Sequence, residues 1–177
     1  MSMNRYIEPI NDEQRQDVDA RTQRAVATAS LILQVNLPAI TVRFDLRGSA
    51  AGMFCARSGE RWIRFNPWLF AKDWQRHASD TVLHEVAHYG VHMAYPPRSV
   101  RAHGPEWRSL VSQLGGSPAA TFDDNLEGVP TRRQRRHRYH CGCQTHWLSS
   151  TRHNRVLRRK ATYHCVQCGR RLTGPVD

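Results

Sequence analysis

Apolar and polar positions alternate along the first two thirds of this 177-residue chain in two different periods. From Asp12 to Gln34 the apolar side chains Val18, Ala25, Ala29, Leu31 and Ile32 recur at helical spacing, with acids near the start, where they complement the helix dipole. Ile40 to Leu46 alternates as a strand and Gly48 to Gly52 turns; Gly52 to Ala56 and Arg61 to Phe65 are two further short strands around a turn at Arg57 to Glu60. Pro67-Trp68-Leu69-Phe70 starts a short helix, and Ser79 to Met93 forms a longer one whose apolar positions are Val82, Leu83, Val86, Ala87 and Val91. Pro96 and Pro97 stop that helix and let the chain reverse. His103-Gly104-Pro105-Glu106-Trp107 then opens another helix with Pro in its first turn. The order predicts an α+β protein, helices packed on a short sheet, with Trp62, Trp68, Trp74, Trp107 and the small hydrophobe Cys55 inside. A core of this kind fits within about 130 residues. Thr121 to Thr131, with acids, Gly128 and Pro130, reads as a linker, so the expected domains are 1–130 and 131–177.

The helix at Ser79 to Met93 carries His84-Glu85-Val86-Ala87-His88. Histidines at i and i+4 share one helix face a turn apart, as gripping a single zinc ion requires, and the carboxylate between them is placed to act as general base. A helix with merely hydrogen-bonded histidines is the blander alternative. A catalytic zinc typically takes three protein ligands and keeps a fourth position for water. His92 continues the stripe but lies about 12 Å along the axis from His84, too far to share the ion. His103, at the boundary of the next helix, is the preferred third ligand and Glu106 its carboxylate rival. His77 and His92 are expected at the surface or behind the ligands. Zinc held by neutral imidazoles lowers the pKa of water toward about 7, within reach of Glu85, and a peptide carbonyl is the expected target. Tyr89 and Tyr95 are candidate oxyanion donors, although packing roles are commoner for both. A strand beside the helix offers an edge on which an extended peptide can pair.

Charge separates the two parts of the chain. Residues 131–177 hold 12 Arg and Lys against one acid, whereas residues 1–130 hold 14 of each sign, so the whole net charge of +11 lies in the last quarter. Arg132, Arg133, Arg135, Arg136 and Arg138, followed by Arg152, Arg155, Arg158, Arg159 and Lys160, form the footprint of a polyanion partner, with nucleic acid preferred over a merely solvated surface. Tyr139, Trp147 and Tyr163 interleave with these cations and suit stacking on unpaired bases, while the arginines suit phosphate. The region has no apolar face for a membrane. Cys141-Gly142-Cys143 and Cys165-Val166-Gln167-Cys168 fall in the same region, separated by a basic stretch expected to form a β-hairpin. So short a segment with so few apolar side chains needs a metal to fold, which predicts a zinc ribbon. The first cysteine pair is one residue tighter than usual, leaving His146 as a competitor to Cys143. Disulfides are the alternative, but Met1 to Ile10 lacks an apolar signal core, so a reducing cytoplasmic location is expected. The uncharged run Ala25 to Val42 is broken by Thr28, Ser30, Gln34, Asn36, Pro38 and Thr41 and is not expected to span a membrane.

With these motifs together, the chain resembles the SprT-like, Spartan-related zinc metalloproteases. The resemblance rests on His84-Glu85-x-x-His88, His103-Gly104-Pro105-Glu106-Trp107, Tyr139-His140-Cys141-Gly142-Cys143, Arg152-His153-Asn154-Arg155 and Tyr163-His164-Cys165-Val166-Gln167-Cys168-Gly169. It implies a small zincin-like metalloprotease domain followed by a zinc ribbon, catalytic zinc on His84, His88 and His103, and Glu85 as base. It also implies proteolysis of DNA-bound or DNA-crosslinked proteins, with DNA of single-stranded character as partner. The competing reading from another class is a zinc-dependent nucleic-acid-binding or regulatory protein in which the first zinc is only structural.

Overall fold

The computed structural model describes residues 6–118, 124–131 and 135–175. The chain divides into two compact units, Met1–Thr131 and Arg132–Asp177. In the first, helix α1 (Asp12–Leu33) begins with a capping box: the Asn11 side chain accepts from Gln14 N–H, and the Gln14 side chain accepts from Asn11 N–H in return. Gln34 ends it in the left-handed conformation. Its buried stripe is Val18, Thr22, Ala25, Val26 and Ala29, and Thr22 is admitted to it because its hydroxyl donates to Val18 C=O. Leu31, expected on the apolar side, is exposed.

Strands β1 (Thr41–Arg43), β2 (Gly52–Arg57) and β3 (Glu60–Phe65) form one sheet in the order β1-β3-β2. β2 and β3 are an antiparallel hairpin closed by Ser58 and Gly59, both at positive φ, a combination that matches the right-handed twist of paired strands. β1 joins β3 in parallel and is shorter than the alternation from Ile40 to Leu46 suggests. Pairing stops at Arg43–Arg64 because β3 ends at Phe65 and the chain turns at Asn66. Asn66 is fully buried; its side chain caps helix α2 (Pro67–Lys72) at Trp68 N–H and Leu69 N–H and donates to Gly48 C=O and Ala50 C=O, tying the preceding loop to the helix.

A three-residue helical turn, α3 (Trp74–Arg76), and a π-helical turn at His77–Thr81 lead into helix α4 (Val82–Ala94). The wider turn carries His77, which is buried, so of the two places expected for it, the surface or behind the ligands, the surface does not hold. Its Nδ1 lies 2.8 Å from Thr81 Oγ1 and its ring stacks on Phe70. Helix α4 is enclosed by α1, the sheet and α5 (Pro105–Gln113), and buries Val82, Val86, Ala87, Tyr89, Gly90 and Val91. Of the four expected core tryptophans only Trp107 is fully buried, while Trp62, Trp68 and Trp74 are partly covered at the rim. Cys55 is likewise half-buried, because β2 is an edge strand.

The stretch read as a linker behaves otherwise where it is described. Val129 is buried with Leu69 and Ala51, Ile7 N–H and Gly48 N–H donate to Gly128 C=O and Pro130 C=O, and Lys72 Nζ donates to Asn125 C=O and Glu127 C=O. Residues 125–130 are therefore a strap on the first unit. Composition cannot reveal this, since the strap is held mainly by backbone groups, which carry no residue identity.

The second unit is a β-hairpin of β4 (Arg136–His140) and β5 (Thr145–Ser149) followed by helix α6 (Ser150–Leu157). The hairpin thus closes over the first cysteine pair, and the basic stretch between the two pairs, expected as a hairpin, is one strand and a helix. Ser149 stops β5 by capping α6 at Arg152 N–H. The core comprises Tyr139, Cys141, Leu148, Cys165 and Leu172. Among the described residues no helix is long and apolar enough to cross a membrane.

Gly90 is where α4 meets its neighbours: a Cβ there would sit 2.8 Å from Leu110 Cδ2 and 3.0 Å from Leu33 Cδ1. Gly90→Val should overpack this crossing and cost about 1–3 kcal/mol, read as a lower denaturation midpoint at unchanged slope in urea titrations.

Candidate metal centres

The three histidines of the preferred set come together. Their Nε2 atoms form a triangle with sides of 3.2 Å (His84–His88), 3.0 Å (His88–His103) and 3.2 Å (His84–His103). Ligands about 2.0–2.1 Å from one tetrahedral ion lie about 3.3 Å from each other, so the triangle fits a single metal. Helix α4 supplies two imidazoles through the one-turn spacing. The third comes from just before α5, whose start is fixed by Gly104 and by Pro105 at the first helical position. Burial, and after it the neighbouring imidazole charge, holds His84 down to about 4 and His88 down to about 3, so both are neutral near pH 7, the form that binds metal. Glu106, the rival third ligand, lies outside this group, and among the described residues no fourth protein ligand joins it.

Trp107 forms the floor of the triangle. Its ring centroid lies 4.7 Å from that of His84, 5.4 Å from His88 and 4.6 Å from His103, and its Nε1–H donates to His84 C=O at 3.3 Å. Sequence reasoning assigned this residue to the core without seeing that it packs against all three imidazoles. The available signal was its place four residues after His103, in the first turn of the helix that His103 precedes.

Glu85 is buried on α4, and its Oε2 accepts from Phe54 N–H on β2 at 2.6 Å. Burial pushes its carboxyl up to about 7, opposed by that hydrogen bond. β2 comes this close because residue 52 is glycine. A Cβ on Gly52 would lie 2.6 Å from Glu85 Cγ, 2.7 Å from Oε1 and 2.8 Å from Thr81 Cγ2. Phe54 and Gly52 are functional positions that the motif does not reveal, although a glycine opening a strand often marks such a close approach. Of the oxyanion candidates, Tyr89 is excluded because its ring is buried and its hydroxyl donates to Pro38 C=O. Tyr95 is exposed and borders a cavity beside His88. His92 is exposed and meets the Phe54 ring at a tilt of 55°, apart from the triangle. β3, the last strand before the helix, is central, and of the two edge strands, β1 and β2, it is β2 that packs against α4.

In the second unit Cys141, Cys143, Cys165 and Cys168 converge as a second group with ligand spacing. Sγ–Sγ separations of 3.1 Å (Cys141–Cys143) and 3.7 Å (Cys143–Cys165) far exceed a disulfide bond and approach the roughly 3.8 Å expected for thiolates about 2.3 Å from one ion. His146 is not one of the four; its Nε2 sits 3.3 Å from Cys141 Sγ. Although burial opposes it, hydrogen bonds from Cys143 and His146 bring the Cys141 thiol down to about 5, and a backbone N–H at Cys168 brings Cys165 down to about 7. The cluster is compatible with a zinc ribbon.

Arg135, Arg136, Arg138, Arg152, Arg155, Arg158, Arg159 and Lys160 are all exposed, whereas Arg132 and Arg133 lie outside the described residues. Tyr139 is fully buried with its hydroxyl 3.0 Å from His153 Nδ1, so it packs the unit rather than a base. Trp147 remains 57% exposed and, with Arg135, Arg136 and Arg138, lines a cavity of about 520 Å³. Tyr163 is half-buried and covered by the Arg152 guanidinium.

An α+β chain with one histidine and one cysteine metal-ligand group is the class so defined. The family model described as SprT-like matches residues 19–135. Proteins named Protein SprT are similar over most of their length: 35% identity in Erwinia tasmaniensis over 89% of each chain, 36% in Escherichia fergusonii over 90% of this chain and 93% of that one, and 35% in Vibrio parahaemolyticus over 81% and 83%. The chain belongs to the SprT-like family. No solved structure matches it.

Gly52→Ala should push Glu85 off its Phe54 hydrogen bond while leaving the triangle intact. The expected outcome is unchanged metal content by atomic absorption and at least a tenfold loss of any hydrolytic turnover, since general-base efficiency depends on position.

Proposed function

We propose that this protein is a zinc-dependent endopeptidase of zincin type that cuts proteins bound or crosslinked to DNA in the cytoplasm, delivered to its substrates by the basic second unit. The single observation that carries the catalytic part is a histidine group of three, with a buried, hydrogen-bonded carboxylate next to one of its members. A purely structural zinc takes four protein ligands and has no use for a base.

His84, His88 and His103 would hold the zinc, which supplies Lewis-acid polarisation of a peptide carbonyl and acidifies water. Glu85 takes a proton from the attacking water. The Phe54 N–H keeps one carboxylate oxygen engaged, so the base is held in one orientation, and burial keeps its basicity near neutral pH. Glu85 then returns that proton to the leaving amine. Trp107 fixes the ring planes of the ligands and keeps solvent from their inner face. An extended chain laid along the free edge of β2 pairs through its backbone and so is accepted with little regard to sequence.

In the second unit four cysteines would hold a structural zinc, and the exposed arginines would contact phosphates. Trp147 offers an exposed face for an unpaired base, which favours DNA of single-stranded character.

Glu85→Gln should retain two zinc ions per chain and unchanged DNA affinity, yet cleave a DNA-bound basic protein at least a hundredfold more slowly than the parent in the presence of single-stranded DNA. Equal cleavage by both forms, read on gels, would sink the assignment. DNA affinity measured by fluorescence anisotropy should fall steeply with salt: contacts from about five of the guanidinium groups give a log–log slope near −3.5 on single strands, and a flat response would remove the basic unit from the proposal.

A further inference from the structure

Where the chain enters helix α4 it buries three polar side chains that the peptidase mechanism does not use: His77 and Thr81, each 1% exposed, and Asp124. They form a line of contacts. Asp124 Oδ1 meets the Arg76 guanidinium and lies 3.5 Å from His77 Nε2, and His77 Nδ1 lies 2.8 Å from Thr81 Oγ1. Phe70, stacked on the imidazole, holds the ring in its plane. Burial, and after it the Arg76 charge, holds His77 down to about 4, so near neutral pH one ring nitrogen carries a hydrogen and the other a lone pair. With a carboxylate facing Nε2 the hydrogen belongs there, and Nδ1 accepts from the Thr81 hydroxyl.

Thr81 precedes Glu85 by one helical turn on the same face. A Cβ on Gly52 would sit 2.8 Å from Thr81 Cγ2 and 2.6 Å from Glu85 Cγ, so the Thr81 methyl and the Glu85 side chain border the same gap under β2. Rotation about the Thr81 Cα–Cβ bond would put the hydroxyl in that gap in place of the methyl. There it would donate to the carboxylate and occupy a lone pair that the attacking water needs. Resting on the peptidase reading, we propose that His77 is a positioning residue: by engaging the Thr81 hydroxyl it keeps the methyl turned toward Glu85, so the base meets no second donor from its own helix. Asp124 acts one step further back, by fixing which nitrogen of His77 accepts. The segment that straps the first unit therefore bears on the base through two buried side chains.

The test compares the zinc-loaded full-length protein with its variants in cutting a basic DNA-binding protein on single-stranded DNA, and reads the Thr81 χ1 angle from three-bond couplings by NMR. His77→Phe keeps a ring against Phe70 but cannot accept a hydrogen bond, so kcat should fall about tenfold with KM and zinc content unchanged. Adding Thr81→Val, which removes the hydroxyl and keeps the branched shape, should restore most of that loss. His77→Asn, whose side-chain oxygen can stand in for Nδ1, should cut faster than His77→Phe even though it leaves a void beside Phe70 and unfolds at lower urea. A histidine that only packs the core predicts the reverse order. Unimpaired cutting by His77→Phe, or a loss that Thr81→Val does not restore, overturns the assignment while the peptidase reading stands. So does averaging of Thr81 between rotamers in the parent, which is measured whether or not the variants fold. Absence of any cutting by the zinc-loaded parent overturns the peptidase reading and this role with it.

Discussion

Three imidazole nitrogens within 3.2 Å of one another, those of His84 and His88 kept neutral by burial, are the constraint around which the first unit is built. Basic nitrogens are not brought this close, inside a protein, without something to share. Holding them requires rigid support from three directions: the α4 backbone beneath His84 and His88, the Gly104–Pro105 start of α5 behind His103, and the Trp107 ring against all three. Trp107 and the Val86–Ala87 stretch of α4 are buried, so the geometry is supported by the same apolar packing that stabilises the fold.

The carboxylate next to this triangle depends on a different contact. Glu85 sits on α4, but what orients it is a backbone N–H from β2, a strand that can approach only because residue 52 has no side chain. The hairpin that carries β2 is closed by two residues at positive φ, and its distal end is free of the core. Sheet and helix thus contribute separate parts to one site: the helix provides chemistry, and the sheet provides orientation together with an open edge.

The second unit solves a different problem. Forty-six residues whose described apolar core is Tyr139, Cys141, Leu148, Cys165 and Leu172 have little apolar burial to fold on, and four converging thiols would supply a cross-link once a cation is bound. Its surface is left free to be almost wholly cationic. Tyr139 and His153, polar residues that a reader of the sequence would give to ligand binding, are instead used on each other to complete this small core.

Much of the architecture was legible from the chain. Helical periodicity, prolines and glycines located α1, α2, α4, α5 and the β2–β3 hairpin, because these depend on local backbone preferences that residue type reports directly. His84, Glu85 and His88 were legible for the same reason, since a helix converts sequence spacing into spatial spacing. His103 was reachable only by elimination, and Phe54, Gly52 and the Trp107 floor emerged only from tertiary structure, because each acts across elements that are distant in sequence. The strap at residues 125–130 and the central place of β3 were decided there too. Sequence by itself determined which groups are available and which lie on one helical turn; the packing of strand against helix decided which of them meet, through backbone hydrogen bonds and close approaches that no single residue encodes.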